Sequence, residues 1–203
     1  MQQQNTNQST QNTQNNTNSN ENQNTNQLKQ NEIPLHIALK NKYSKEIIEL
    51  LISKGSDINS KNNENEIPLH IALKNKYPKE IIELLISKGS DINSKNNQNE
   101  IPLHIALKNK YPKEIIELLI SKGSDINSKN NQNEIPLHIA LKNKYPKEII
   151  ELLISKGSDI NSKNNQNEIP LHIALKNKYP KEIIELIPKD YIFKKDQMIL
   201  IQK

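Results

Sequence analysis

From Pro68 to Asn99 the apolar positions fall into two clusters set apart by polar runs. In the first cluster Leu69, Ala72 and Leu73 recur at helical spacing with Ile71 beside them. Pro68 stands just before them, where a helix has no use for the amide proton that proline lacks. The spacing predicts a short helix over 68–76. Tyr77-Pro78-Lys79-Glu80 then breaks and restarts the chain. Pro78 suits the first helical position of a second helix, and Glu80 puts negative charge near its N-terminal end, where the peptide dipoles favour it. Ile81, Ile82, Leu84, Leu85 and Ile86 give that helix a wide apolar face, Lys88 lies in its last turn, and Gly89 ends it as a left-handed cap. Ser90 to Asn99 reads as a polar loop whose single apolar anchor is Ile92. Two helices of about nine residues cannot bury such faces alone, so the unit must lean on neighbours.

The neighbours are the same sequence. Glu66 to Asn99, Glu100 to Asn133 and Glu134 to Asn167 are three identical copies of 34 residues. Glu32 to Asn65 is a fourth, differing only at Ser44 and Glu64, and a fifth starts at Glu168 and loses the pattern after Leu186. Repetition of this kind predicts a solenoid that offers the same groups at every step. An enzyme needs one unlike constellation in one place, so catalysis is disfavoured. No Gly-x-Ser-x-Gly turn or glycine-rich phosphate loop occurs, and no catalytic or cofactor-binding residues are assigned.

Composition divides the chain into a Gln/Asn-rich tail over 1–30, the repeats over 31–187 and a different C-terminal segment over 188–203. The tail has Leu28 as its only large aliphatic side chain after Met1, too little apolar area to offset the entropy of ordering it, and is expected to be disordered. Asn and Gln amides also stack in cross-β ladders, which leaves open a role in self-assembly. The chain has 28 Lys, no Arg, 23 acidic residues and no Cys, so no disulfide or thiolate metal site can form. Without a secretory pattern or an apolar run of spanning length, the expectation is an intracellular protein, cytoplasmic rather than nuclear, with no membrane contact. Nucleic acid is disfavoured as partner, because each identical copy nets only one positive charge and Arg is absent.

A period of 34 residues also suits tetratricopeptide units, but their Trp/Gly/Tyr/Ala pattern is missing and the loop here is long. Pro-Leu-His-Ile-Ala, then Glu-Ile-Ile-Glu-Leu-Leu-Ile, then Lys-Gly-Ser-Asp-Ile-Asn, resembles the ankyrin repeat in order and spacing over residues 31–187. The resemblance implies an all-α solenoid of helix-turn-helix units joined by polar loops, with repeats at about 32–65, 66–99, 100–133, 134–167 and 168–187. Three departures stand out. Ile33, Ile67, Ile101, Ile135 and Ile169 replace the family's capping Thr, a loss of about 0.5 to 2 kcal/mol each unless apolar packing offsets it. Asn65, Asn99, Asn133 and Asn167 replace a loop Gly, and Asn is the non-glycine residue best able to take positive φ. The turn between helices carries an extra residue in Asn-Lys-Tyr-Pro, which leaves its geometry open.

Two rows of side chains recur. His36, His70, His104, His138 and His172 are spaced too far apart for one metal ion, with stacked helices about 8 to 10 Å apart, and are read as buried hydrogen-bonding groups between units, as the resemblance implies. Tyr43, Tyr77, Tyr111, Tyr145 and Tyr179 are read as packing over the turn, the alternative being a row of partner anchors.

The resemblance further implies a non-enzymatic module, a scaffold or adaptor, that binds a protein partner on a concave face made from loop tips and first helices. Carried over, that face comprises Lys40, Asn41, Asn63, Glu64, Glu66, Lys74, Asn75, Asn97, Gln98, Glu100, Lys108 and Asn109, then Asn131, Gln132, Glu134, Lys142, Asn143, Asn165, Gln166, Glu168, Lys176 and Asn177. It holds no aromatic or aliphatic anchor, so modest affinity per repeat is expected, summed over several repeats by avidity. No small-molecule substrate is implied. The rival reading is a self-assembling protein driven by the tail, with the repeats as spacer. At the array's ends, the first copy is expected to leave its outer Leu and Ile face partly uncovered. Pro188 should stop the last helix early, with Tyr191-Ile192-Phe193 and Met198 to Ile201 as a cap or a contact surface.

Overall fold

The computed structural model describes residues 33–187; the expectations for the tail over 1–30 and for the segment over 188–203 fall outside that range. The described residues form ten helices and no strand. They are α1 (Pro34–Lys40), α2 (Lys45–Ser53), α3 (Pro68–Lys74), α4 (Lys79–Ser87), α5 (Pro102–Lys108), α6 (Lys113–Ser121), α7 (Pro136–Lys142), α8 (Lys147–Ser155), α9 (Pro170–Lys176) and α10 (Lys181–Leu186). Each first helix packs on its own second helix and on the first helix of the next repeat, so α1, α3, α5, α7 and α9 stack in series. The result is an all-α solenoid.

Proline and the caps set the helix lengths. Pro68 opens α3 with its missing amide at an end that needs none. The helix stops at Lys74, two residues before the expected end, because Lys76 turns left-handed at φ 56. Two bonds then close the end: the Lys76 N–H donates to the Leu73 carbonyl at 3.3 Å and the Tyr77 N–H to the Ala72 carbonyl at 3.0 Å. This is a Schellman motif with lysine in the place glycine usually holds. Lys42, Lys110, Lys144 and Lys178 repeat it at φ 56–57. Pro78 is the N-cap of α4, at φ −67 and ψ 165, rather than its first helical residue. Gly89 ends α4 at φ 90 as expected, with the Ser90 N–H on the Leu85 carbonyl at 3.1 Å. Asn65, Asn99, Asn133 and Asn167 take φ 55–57 in the loops, as their chemistry predicted.

The core runs the length of the array between the two helix layers. Leu69, Leu73, Ile82 and Leu85 have no exposed surface, and Leu103, Leu107, Ile116 and Leu119 repeat that burial one period on. Each such side chain contributes about 1.5 to 3 kcal/mol relative to exposure. Ile67, Ile101 and Ile135, which replace the family's capping residue, are fully buried as well, so apolar packing offsets the lost cap. The Ile67 N–H still finds an acceptor, His70 Nδ1, at 3.1 Å.

The two ends differ from the middle. Tyr43, Ile47 and Leu50 in the first repeat are 50%, 41% and 50% exposed, whereas Tyr77 and Ile81, one period on, are buried. The first copy thus leaves its outer apolar face open, as its interior-like sequence predicted. At the other end Leu175 is 43% exposed, while Leu73, Leu107 and Leu141 show no exposed surface. The last helix is only six residues long, and Ile187, preceding a proline, is extended at φ −91 and ψ 105.

Candidate functional site

The candidate face is assembled from the loop before each first helix and the end of that helix. Asn96 organises the loop: its Oδ1 accepts the Gln98 N–H and the Glu100 N–H, both at 2.9 Å, and its Nδ2 donates to Glu100 Oε2 at 3.3 Å. Asn62, Asn130 and Asn164 do the same in their own repeats. Asn96, Asn130 and Asn164 are buried, so these amides serve the fold rather than a partner.

The carboxylate held by that asparagine lies under a lysine. Lys74 Nζ meets Glu66 Oε1 at 2.9 Å and Lys108 Nζ meets Glu100 Oε1 at 2.5 Å; Lys142 pairs with Glu134 in the same way. The glutamate side chains are buried while the lysine heads stay in solvent, Glu66 at 7% against Lys74 at 62% exposed. Burial pushes the Glu66 carboxyl up, but the Asn62 and Lys74 hydrogen bonds outweigh it and hold it below its ordinary value. Glu66, Glu100 and Glu134, expected on an open surface, are therefore covered and paired. Glu168, in the last repeat, is half-buried and pairs with Lys176 at 3.4 Å.

The remaining candidates split into free and engaged groups. Lys40, Asn41, Asn63, Glu64, Lys74, Gln98, Lys108, Gln132, Lys142, Gln166 and Lys176 are exposed. Asn97, Asn131 and Asn165 are exposed too, but they join adjacent loops. Asn97 Oδ1 accepts from Asn65 Nδ2 at 2.5 Å, and its Nδ2 donates to the Asn63 carbonyl at 3.1 Å. The loop backbones pair directly as well, the Asn97 N–H donating to the Glu64 carbonyl at 2.9 Å. Asn75, Asn109, Asn143 and Asn177 are half-buried, each donating to the leucine carbonyl at the end of the preceding first helix.

Both side-chain rows face inward except at the ends, where Tyr43 and His172 are exposed. His70 Nδ1 accepts the Ile67 N–H, which leaves the proton on Nε2, and that Nε2–H donates to the Glu100 carbonyl of the next repeat at 3.1 Å. His36, His104 and His138 make the same inter-repeat bond. Burial pulls the His70 pKa down to about 4, so its imidazole is neutral at pH 7. Among the described residues no cluster of His, Cys, Asp or Glu is arranged to hold a metal ion. Tyr77, Tyr111 and Tyr145 are buried, and the Tyr111 hydroxyl donates to the Tyr77 carbonyl of the preceding repeat at 3.0 Å. They pack over the turn and are covered by the repeat before. A shallow apolar depression of 270 Å³ beside Tyr145, Pro146, Tyr179 and Pro180 brings together no convergent polar groups.

A further bridge joins the loops of neighbouring repeats. Asn59, Asn93 and Asn127 each span to the next repeat; Asn93 Nδ2 donates to the Gly123 carbonyl at 2.9 Å and its Oδ1 accepts the Asp125 N–H at 2.7 Å. One asparagine among many in a polar loop carries no linear signal of this, and identical copies offer no variation to separate it from its neighbours. No helix among the described residues is long and apolar enough to cross a membrane.

Comparison with known families gives a match to a family described as ankyrin repeats (3 copies) over residues 7–96 and 103–197. A second, ankyrin repeats (many copies), matches residues 78–120. No curated protein matches the chain significantly.

Proposed function

The chain belongs to the ankyrin repeat family, and we propose that its array, over residues 31–187, is a non-enzymatic interaction module that holds one protein partner along the loop-tip and first-helix face. The family's repeats are in general protein-protein interaction modules. What supports the finer reading is the asymmetry of the Lys–Glu pairs. In the three identical repeats the first helix ends in a lysine whose head is exposed while its glutamate partner is covered. The face therefore offers a row of ammonium groups, Lys40, Lys74, Lys108, Lys142 and Lys176, flanked at the loop tips by Glu64, Gln98, Gln132 and Gln166.

Such a row fits a partner segment with its own periodic acidic or polar groups. A single exposed lysine contributes at most about 1 kcal/mol, and no aromatic anchor lies on this face, so affinity comes from engaging several repeats at once. Affinity capture from native extract with residues 31–203, beside a variant carrying Lys74→Glu, Lys108→Glu and Lys142→Glu, tests it. A stoichiometric partner retained by the first and lost by the second supports the reading. A partner equally retained by both, or recovery of nothing but the protein itself, would sink it.

A further inference from the structure

The two ends of the array are the two halves of an interface that the molecule already makes four times. Between consecutive repeats, the tyrosine and second-helix side of one unit covers the leucine and histidine side of the unit before it. Tyr77 OH, for example, donates to the Ala38 carbonyl at 3.2 Å, Asn75 Nδ2 to the Leu39 carbonyl at 3.1 Å, and Leu39 is fully buried. At the first repeat the covering side stands open, with Tyr43, Ile47 and Leu50 in solvent. At the last repeat the covered side stands open, with Leu175 and His172 exposed.

We propose that these end faces bind each other between molecules, so that a second copy of this chain stacks head to tail on the first and continues the solenoid. Complementarity needs no new chemistry. Residues 170–179 of the last repeat match 68–77 of the interior ones without a difference, and the first repeat differs from them only at Ser44 and Glu64. In the joint, Tyr43 and Asn41 of one copy meet the Ala174, Tyr179 and Leu175 carbonyls of the other, as Tyr77 and Asn75 meet the Ala38, Tyr43 and Leu39 carbonyls within the chain. Before Ile33 the sequence offers only Met1 and Leu28 as large apolar side chains. The last repeat stops before the loop asparagine, Asn93 or Asn127 in the interior, that grips the glycine of the following repeat. The joint is therefore weaker than an internal step and reversible. Because its two sides differ, it is heterologous and leads to open chains rather than closed dimers.

The experiment uses the full chain in sedimentation velocity over a concentration series reaching about 100 µM, a range that reveals modest affinities. Two single variants, Ile47→Glu and Leu175→Glu, each spoil one face at an already exposed side chain. The wild type should grow with concentration beyond a dimer. Each variant alone should stay monomeric, and the two mixed should give a dimer and nothing larger, since one intact face of each kind remains. Recovery of association on mixing also shows that both variants are folded. Several results would overturn the proposal: a monomeric wild type throughout, assembly only after deletion of residues 188–203, or association unchanged in both variants and abolished by deletion of residues 1–31. The second result would mean that the C-terminal segment covers the Leu175 face within the chain, and the third that the tail drives assembly.

Discussion

Acidification from pH 7 to pH 5 removes stability from this array through its buried imidazoles. His70 has no exposed surface, gives its Nε2–H to the Glu100 carbonyl and accepts the Ile67 N–H on Nδ1, an arrangement that only the neutral ring can make. Desolvation lowers its pKa from 6.5 to about 4 in the folded protein. Between those values the unfolded chain binds the proton and the folded chain does not, so stability falls as pH falls. The contribution is complete above pH 6.5 and is lost progressively towards pH 4. At about 1.4 kcal/mol per pH unit, the 1.5 units from 6.5 to 5 remove about 2 kcal/mol for His70 alone. His36, His104 and His138 are lowered by the same cause and add in the same direction. Below that window Glu66, held under its ordinary value, extends the loss as its carboxylate is protonated. Urea titrations followed by circular dichroism at pH 7, 6 and 5 read the effect, which should appear as a falling midpoint at nearly constant slope. Proton NMR of the imidazoles gives the site-specific check, with His70 staying neutral well below pH 6. A midpoint that holds or rises on acidification, or a His70 that titrates near 6.5, would exclude the buried neutral imidazole as the source of the loss.

Other perturbations separate the parts of the fold. Lys76→Gly and Lys110→Gly relieve left-handed backbone at φ 56 and 57; the strain of about 1 to 2 kcal/mol less the added chain entropy of about 0.5 to 1 leaves a gain of about 0.5 to 1 kcal/mol each in urea unfolding. Gly89→Ala, whose new methyl would meet no atom within 4 Å, should instead destabilise by about 1 to 2 kcal/mol through φ 90 alone. Asn96→Ala strips the acceptor from two loop amides and should cost about 1 to 3 kcal/mol in the same assay, with faster amide exchange at Gln98 and Glu100. Tyr111→Phe removes the hydroxyl bridge to Tyr77 and should cost about 0.5 to 1.5 kcal/mol, with the circular dichroism spectrum unchanged.

Much of the fold was legible because its determinants are local. Pro68 and Gly89 mark helix ends by their own backbone chemistry, and the apolar spacing of 81–86 marks a buried face without any tertiary information. The histidine row was legible through family resemblance; the bonds of His36, His70, His104 and His138 to the next repeat bear that out, while His172, with no repeat after it, is exposed. The turn after the first helix was not legible, because lysine has no intrinsic preference for positive φ; Lys76 adopts it because Tyr77 must reach back to the Ala72 carbonyl and to the preceding repeat. Nor was the burial of Glu66 legible. Its partners stand four residues before, at Asn62, and eight after, at Lys74, and only the folded loop brings them together. Three residues of the expected face, Glu66, Glu100 and Glu134, thereby prove to be covered, and its exposed charge becomes mainly lysine, with Glu64 at one loop tip.

Equivalent repeats acting together on one partner make affinity depend on their number, which a deletion series measures. With the captured partner in hand, titration calorimetry would compare the full array with chains lacking residues 100–133 and residues 100–167, deletions that rejoin identical sequence and keep both ends. Affinity should fall in graded steps as repeats are removed. Unchanged affinity, or total loss at the first deletion, would contradict joint action of the repeats.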